Sequence, residues 1–234
     1  GLGQGHVQVG RDGLGQGPVG VAREQLHVRS SFRRHRRAEN ASAALALAAR
    51  NRGAFHPAHT DGNEVDAILS VASGCASALA DDIQSAADRP VSYPPVTDIN
   101  QFLMDLVLPE NLRLAPLAAT VVVQDPCSLR NALHAEQSVY SLLRRIPELQ
   151  VLALPENHFC CGGAGAYSLR QPAMAERLRA EKLAHLKQLQ PSILVTANIG
   201  CALHLAAGAR DSGMNMEIIH PLVLFERQLR ETAA

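Results

Sequence analysis

Four of the five cysteines of the chain stand in sequence patterns that could bind a metal. Cys127 ends an Asp-Pro-Cys tripeptide, Cys160 and Cys161 are adjacent, and Cys201 follows Asn-Ile-Gly. Cysteine thiolates are the usual ligands of structural zinc and of iron–sulfur clusters. A disulfide between adjacent cysteines departs from favoured disulfide geometry, so this pair is better placed to face a shared metal centre. We therefore predict one metal centre bound by these four cysteines.

Glycines follow the cysteine pair directly. The Cys-Cys-Gly-Gly-Ala-Gly loop contains Gly162, Gly163 and Gly165, which permit positive φ and close approach of the backbone. Backbone amides as well as sulfurs can then surround a bulky anionic group. Asn198 and Gly200, which lead into Cys201, complete the predicted cofactor-binding set. This environment suits iron and sulfide, while zinc stays an alternative because four cysteines, or three cysteines and a histidine, also bind it.

The cysteines are separated by segments that predict alternating strands and helices. Apolar and β-branched runs predict strands at 65–71, 120–123, 150–154, 193–196 and 216–219, and apolar residues at helical spacing predict helices at 38–55, 97–108, 135–146, 172–190 and 222–229. Such alternation implies an α/β layer with parallel strands. Sheets of this kind bind ligands beyond the carboxyl ends of their strands. Because Cys127 and Cys201 each follow a strand, we expect the cysteines to meet at one edge of the sheet.

A faint internal repeat indicates two related units. Residues 67–76 align without gaps on residues 193–202, and each segment is an apolar run that leads into Gly-Cys-Ala. Cys75 corresponds to Cys201 in this alignment. The first unit keeps this cysteine alone, and we interpret it as a buried thiol in an incomplete site.

The N-terminal segment differs in composition from the rest. Eight of the first 20 residues are glycine, and no apolar periodicity before residue 38 runs long enough for a buried helix or strand. The first 52 residues contain nine arginines and three acidic residues. A basic arm of this kind could bind nucleic acid or acidic phospholipid, but we favour a disordered segment produced by a shift of reading frame. The expected organisation is therefore a disordered segment at 1–37, a degenerate cysteine-rich unit at 38–117 and a second cysteine-rich unit at 118–234.

Composition narrows the functional class. The chain carries 22 basic and 22 acidic residues, which gives no argument for a nucleic-acid partner. No apolar run approaches the roughly 20 residues that a membrane-spanning helix needs, and the N-terminus lacks the charged-then-apolar order of a secretory signal. Five cysteines without such a signal indicate reduced thiols, so we expect a cytoplasmic location.

Several motifs together resemble one protein family. Asp-Pro-Cys127, the segment from His158 to Tyr167, the basic helix through Lys182 and the segment from Thr196 to Leu205 are similar to the iron–sulfur subunit of glycolate oxidase. The wider family is the cysteine-rich CCG domain, which also occurs in heterodisulfide reductase. The resemblance covers residues 38–229. Cys-Ala-Leu-His at 201–204 stands where the heterodisulfide reductase branch has Cys-x-x-Cys, which favours the glycolate oxidase branch.

This resemblance implies both fold and function. The fold would be a tandem of two related, Rossmann-like CCG units with parallel sheets, the first unit incomplete. The protein would hold a 4Fe-4S type cluster through the four cysteines and would have no catalytic residue of its own. It would relay electrons from flavin-containing glycolate oxidase subunits, which convert glycolate to glyoxylate, towards quinone. Its membrane association would be peripheral, at the inner face of the cytoplasmic membrane and only through the complex.

The chain also departs from the family, and alternatives stay open. Family members begin with a ferredoxin-like domain, and their first unit contains a cysteine pair; the sequence shows neither. A zinc-binding module for subunit contact and an inactive truncated fragment are therefore the competing interpretations. His204 could ligate metal or pack on its helix, and His158 and Asp125 could tune the centre or make loop hydrogen bonds.

Overall fold

The computed structural model describes residues 6–10, 41–56, 65–84, 92–165 and 167–231. The chain divides into two compact units, Gly1–Ile99 and Asn100–Ala234. The domain bounds predicted from the sequence, with a boundary between residues 117 and 118, stay a prediction. The apolar side chains of Leu103, Met104, Leu114 and Leu117 pack against the core of the second unit. The interpretation of the two units as repeats of one cysteine-rich domain stays a prediction.

The described part of the first unit contains a small mixed sheet with helices. Its elements are β1 (His6–Gly10), α1 (Ala41–Ala54), β2 (Val65–Ser70), α2 (Ser73–Gln84) and β3 (Val96–Asp98). The strand order is β1-β2-β3, with β1 antiparallel and β3 parallel to β2. Phe55, Ile68 and Leu79 are buried together and form its core.

Strand β1 lies within the N-terminal segment for which no buried strand was predicted. It pairs along its length with β2. Its sequence, His-Val-Gln-Val-Gly, alternates over too few residues to be distinguished as a strand by periodicity. The remainder of the 1–37 segment lies outside the described residues, so its predicted disorder is not tested.

The helix predicted at 97–108 is wrong at its start. Residues 97 and 98 belong to β3, and the helix is the shorter α3 (Ile99–Met104). The preceding Pro-Pro dipeptide favours extended backbone, and the β-branched residues Val96 and Thr97 pair in parallel with β2. Sheet pairing therefore overrides the helical pattern here.

The second unit is built on a parallel sheet. Its further elements are β4 (Leu112–Leu114), β5 (Thr120–Val123), α4 (Cys127–Asn131), α5 (Glu136–Leu143), β6 (Gln150–Ala153), α6 (Tyr167–Arg170), α7 (Pro172–Leu189), β7 (Ile193–Val195), α8 (Ile199–Asp211), β8 (Glu217–Ile219), α9 (Pro221–Glu226) and β9 (Leu229–Glu231). The sheet has the order β6-β5-β7-β8, and each neighbouring pair is parallel. This confirms the predicted α/β class. The last predicted helix was too long, because its final residue, Leu229, starts β9, which pairs antiparallel with β4.

Strand β5 is buried on both faces of the sheet. Successive side chains of a strand point to opposite faces, and Val121 and Val123 accordingly pack in the core formed with α5 and α9. Val122 packs in the other core, formed with α7 and α8, which also contains Cys161 and Cys201. The cysteine site is therefore continuous with a packed core. No helix in the described part of the chain is long and apolar enough to cross a membrane.

Candidate metal centre

Three neighbouring parallel strands each lead into one part of the cysteine site. Cys127 is the first residue of α4, just after β5, and Cys201 is the third residue of α8, just after β7. Cys160 and Cys161 lie in the loop that follows β6. Because these strands are parallel, their carboxyl ends share one edge of the sheet. The cysteines lie at the edge where the sequence predicted them.

The four thiols form two close pairs. Cys127 Sγ lies 4.0 Å from Cys160 Sγ, and Cys161 Sγ lies 3.1 Å from Cys201 Sγ. The peptide bond between Cys160 and Cys161 joins the two pairs. Cys161 and Cys201 are buried, whereas Cys127 and Cys160 are half-buried. The set therefore has an inner pair in the core and an outer pair that is partly accessible to solvent.

The glycine loop brings backbone amides to the sulfurs. The amide of Gly162 donates to Cys160 Sγ, and the amide of Gly163 donates to Cys161 Sγ, each at 3.4 Å. Gly162 has a φ of +87° and faces the Ala175 carbonyl at a distance that leaves no room for a side chain. A glycine is required there for both reasons. Gly165 also has a positive φ, +53°, and donates to the Gly163 carbonyl at 2.8 Å, which closes the loop on itself.

Asn198 fixes the helix start that carries Cys201. Its side-chain oxygen accepts from the amides of Gly200 and Cys201 at 2.8 and 3.3 Å, which is an N-cap. Its amide nitrogen donates to Ser128 Oγ at 3.3 Å. One side chain thus holds the start of α8 and links it to α4, the helix of Cys127.

The ends of β5 and β7 are joined by buried polar side chains. Thr196 Oγ1 donates to Gln124 Oε1 at 2.8 Å, and Gln124 Nε2 donates to the Asp125 carbonyl at 2.6 Å. Both Gln124 and Thr196 are 1% exposed. Breaking hydrogen bonds between buried side chains costs free energy, because it leaves polar atoms without a partner. They keep the segments that carry Cys127 and Cys201 side by side.

A second polar network lies beside Cys127. Tyr140 donates to Asp125 Oδ1 at 3.0 Å, and Asn157 Oδ1 accepts from the Asp125 amide at 3.1 Å. Asn157 Nδ2 also donates to the Val123 carbonyl and to the Tyr140 hydroxyl, at 2.8 and 3.3 Å. Burial raises the pKa of Asp125, while the Tyr140 hydrogen bond opposes that rise. The network ties the loop before the cysteine pair to the end of β5.

Two thiols of the site, those of Cys127 and Cys161, have raised pKa values and resist ionisation. The hydrogen bond with Cys160 and then burial raise the pKa of Cys127. Hydrogen bonds with Cys160 and Cys201, followed by burial, raise the pKa of Cys161. Metal binding requires thiolates and supplies the charge that stabilises them. Free thiolates are therefore unfavourable at Cys127 and Cys161, whereas a bound cation or cluster would stabilise them.

Lys182 of α7 is buried near the site, with 1% of its surface exposed. Its ammonium donates to the Glu156 carbonyl at 2.5 Å. Burial lowers its pKa, while Cys161, Asp125, Cys160 and Glu156 act in the opposite direction. The amino group of Lys182 is thereby fixed on the loop that carries the cysteine pair.

The remaining candidates take other positions. His204 Nε2 lies 3.3 Å from the Ala175 carbonyl oxygen, a contact that favours the helix-packing role over metal ligation. His158 is exposed, lies 3.4 Å from a Glu156 carboxylate oxygen and stacks at a tilt on Phe159. Cys75 is buried in the first unit, as the third residue of α2. This is the position that Cys201 has in α8, as the sequence repeat predicted.

Sequence reasoning assigned a role to Asn198 and Asp125 but to none of the other polar side chains that hold the site together. Asn157, Tyr140 and Gln124 carry no motif, and their partners lie far along the chain. Lys182 did leave a signal. It stands seven residues after Ala175 and four before Leu186, both buried, so a lysine occupies the apolar face of α7.

The geometry differs from that of a single bound ion. Among the described residues, no group of three or more His, Cys, Asp or Glu side chains is arranged to hold one metal ion. A tetrahedral zinc with Zn–S bonds near 2.3 Å needs every sulfur pair about 3.8 Å apart. The pair of Cys127 and Cys160 is near that value, but the pair of Cys161 and Cys201, at 3.1 Å, is not. The inner pair is therefore closer than a single tetrahedral zinc would hold it.

The sequence of the chain is similar to those of known cysteine-rich proteins. Residues 121–206 match the family model CCG, cysteine-rich domain. The chain is 35% identical over 175 residues to the glycolate oxidase iron-sulfur subunit of Escherichia coli (strain K12), covering 72% of this chain and 42% of that protein. It is 26% identical to the probable glycolate oxidase iron-sulfur subunit of Bacillus subtilis (strain 168), covering 66% and 36%, and 23% identical to lactate utilization protein A of Geobacillus kaustophilus (strain HTA426), covering 67% and 68%. The chain thus spans less than half the length of the two glycolate oxidase subunits.

Proposed function

We propose that this chain, whose residues 121–206 belong to the CCG family of cysteine-rich domains, is an iron–sulfur electron-transfer subunit of a complex that oxidises glycolate to glyoxylate. The observation that carries the proposal is the meeting of four cysteines at the carboxyl edge of β5, β6 and β7, inside the matched segment. Glycolate is the proposed substrate because the chain is similar to two proteins that are named as glycolate oxidase iron-sulfur subunits.

The donor set supports an iron–sulfur cluster. Cys127, Cys160, Cys161 and Cys201 would be the ligands, and four cysteine thiolates are the usual set for a cluster of 4Fe-4S type. A cluster bound there would accept and donate single electrons. The amides of Gly162 and Gly163, which already point at sulfurs, would stabilise its negative charge. Hydrogen bonds of this kind also contribute to the reduction potential.

The partners follow from this role. An electron-transfer subunit receives electrons from another protein, so flavin-containing subunits that oxidise glycolate are the proposed partners, and quinone is the proposed final acceptor. The partly accessible pair of Cys127 and Cys160 is the side of the site from which electrons would enter or leave. The complex would lie at the inner face of the cytoplasmic membrane.

Metal analysis with a matched cysteine control tests the cluster. The full chain is purified without oxygen, and iron, acid-labile sulfide, zinc and visible absorption are measured. We expect iron and sulfide with broad visible absorption, loss of both in Cys160→Ser, and retention of both in Cys75→Ser, since Cys75 lies in the other unit. A colourless protein with stoichiometric zinc and no iron would refute the proposal.

Reconstitution with the partner subunits tests the substrate. The chain is assembled with flavin-containing glycolate-oxidising subunits, and bleaching of the visible absorption is followed after addition of glycolate or lactate. We expect glycolate to reduce the cluster in the complex and to leave the isolated chain unchanged, because the proposed flavin belongs to the partners. Reduction by lactate but not by glycolate would contradict the proposed substrate.

A further inference from the structure

Lys182 is an unusual residue for its position. Lysine is rarely buried completely without a partner, yet this side chain lies in the packed side of α7 between Ala175 and Leu186. Its ammonium makes a direct hydrogen bond to the Glu156 carbonyl, in the loop before the cysteine pair. Burying the charge costs free energy unless nearby groups compensate it. The Glu156 carbonyl compensates part of this cost, and a negatively charged group bound at the site would compensate more of it.

The Glu156 contact holds a strained part of that loop. Glu156 has a φ of +55°, a conformation that is unfavourable for a residue with a side chain. The next residue, Asn157, makes the hydrogen bonds to β5 and Tyr140. Cys160 and Cys161 follow within the same loop. An ammonium on the Glu156 carbonyl thus stabilises the backbone that delivers the cysteine pair.

This contact also holds the charge of Lys182 close to the cysteine pair. The ammonium lies on the carbonyl of Glu156, four residues before Cys160 in the same loop, and the Lys182 side chain is almost fully buried. A charge buried to this degree is screened weakly by salt. A cluster becomes more negative on reduction, so a nearby fixed cation favours its reduced form.

We propose that Lys182 is a positioning residue and the buried counter-charge of the iron–sulfur cluster, holding the loop of the cysteine pair and raising the reduction potential of the bound cluster. The inference rests on the proposed function, because it requires a redox-active cluster at the four cysteines. It assigns Lys182 no contact with any substrate. Its effect reaches the cluster through the Glu156 carbonyl and through its charge.

Three substitutions at Lys182 separate the effect of its hydrogen bond to the Glu156 carbonyl from the effect of its charge. Lys182→Met keeps the apolar stem and removes both the charge and the donor, Lys182→Gln keeps a hydrogen-bond donor without charge, and Lys182→Arg keeps the charge. Lys187→Met is the matched control, because Lys187 is an exposed lysine on the same helix. Iron content, thermal unfolding and the midpoint potential by optical and EPR titration are measured for each full-length protein.

We expect Lys182→Met and Lys182→Gln to favour the oxidised cluster at least tenfold at a fixed potential, a shift of about 59 mV to lower potential for a one-electron couple. Lys182→Arg and Lys187→Met should stay near the wild-type potential. Loss of iron from the two neutral variants with retention in Lys182→Arg would equally support the counter-charge.

Three outcomes would overturn the inference. These are an unchanged potential in an iron-containing Lys182→Met, an equal shift in Lys187→Met, and loss of iron from Lys182→Arg as well. A wild-type protein without iron would refute the proposed function itself, which keeps the two failures distinct.

Discussion

Replacing Gly163 by alanine should disrupt the inner side of the cysteine site. A Cβ on Gly163 would lie 2.8 Å from the Gly200 carbonyl oxygen and 2.9 Å from His204 Cβ. Both distances are shorter than real contacts allow, and one partner is backbone of α8, which cannot rotate away. The loop and α8 must therefore separate. They carry Cys161 and Cys201, whose sulfurs are 3.1 Å apart.

The magnitude follows from the cost of overpacking. Forcing one extra methyl group into a close-packed site costs about 1–3 kcal/mol, and each 1.4 kcal/mol changes an equilibrium constant about tenfold. Gly53→Ala is the matched control, because nothing lies within 4 Å of a Cβ at Gly53 in α1. The same substitution there should stabilise the chain by about 0.5–1 kcal/mol, since glycine disfavours a helix relative to alanine.

Urea unfolding followed by circular dichroism measures the free energy, and iron and sulfide analysis measures the site. We expect Gly163→Ala to lose stability within the stated range and to retain less iron than wild type, while Gly53→Ala retains it fully. If Gly163→Ala were as stable as wild type and bound as much iron, the close packing of the loop on α8 would not be a requirement of the site, and the reasoning would fail.

Two further substitutions test individual contacts. Tyr140→Phe removes the hydroxyl between Asp125 and Asn157. The free energy of unfolding in urea should fall by about 1–3 kcal/mol, because buried polar groups lose their partner. An unchanged unfolding midpoint would show that water replaces the hydroxyl. The Arg227 hydrogen bond lowers the pKa of Glu217 from 4.5, so the pair stabilises the fold above that pH and this contribution is lost as pH falls. Thermal unfolding curves of wild type and Arg227→Gln should therefore converge well below pH 4.5 and separate at neutral pH, and a difference that grew in acid would contradict this.

Much of the second unit could be predicted from its sequence because the local signals agree with one another. The Thr-Val-Val-Val run at 120–123 is a strand buried on both faces, and its apolar β-branched residues indicate this. Asn198 precedes a helix and caps it, as its residue type favours. The first unit offered weaker signals. Its strand β3 was misassigned because its pairing with β2 is a tertiary effect that no local pattern contains.

The sequence predicted the four cysteines of the candidate site. It did not predict most of the polar side chains that hold these cysteines in position. Cysteine is scarce and chemically distinctive, so four cysteines at strand ends stand out in any chain. The groups that hold them are common residues whose partners are remote in sequence. Thr196 and Gln124, for example, are 72 positions apart and meet only because β5 and β7 are neighbours. Such contacts depend on strand order, which the sequence alone did not determine.

Metal binding and folding of the second unit should be coupled through these contacts. The outer thiol pair joins α4 to the loop after β6, and the inner pair joins that loop to α8, so the ligands meet only when three strands are in register. An unfolded chain has no such site, and a ligand that binds the folded state alone stabilises it in proportion to its occupancy. The raised pKa values of Cys127 and Cys161 keep these thiols protonated in the metal-free site, so metal binding must displace their protons. The metal is thus expected to be a structural element of this unit as well as its proposed electron carrier, and the polar links at Asn198 and Gln124 are what keep the strand ends in place while it is absent.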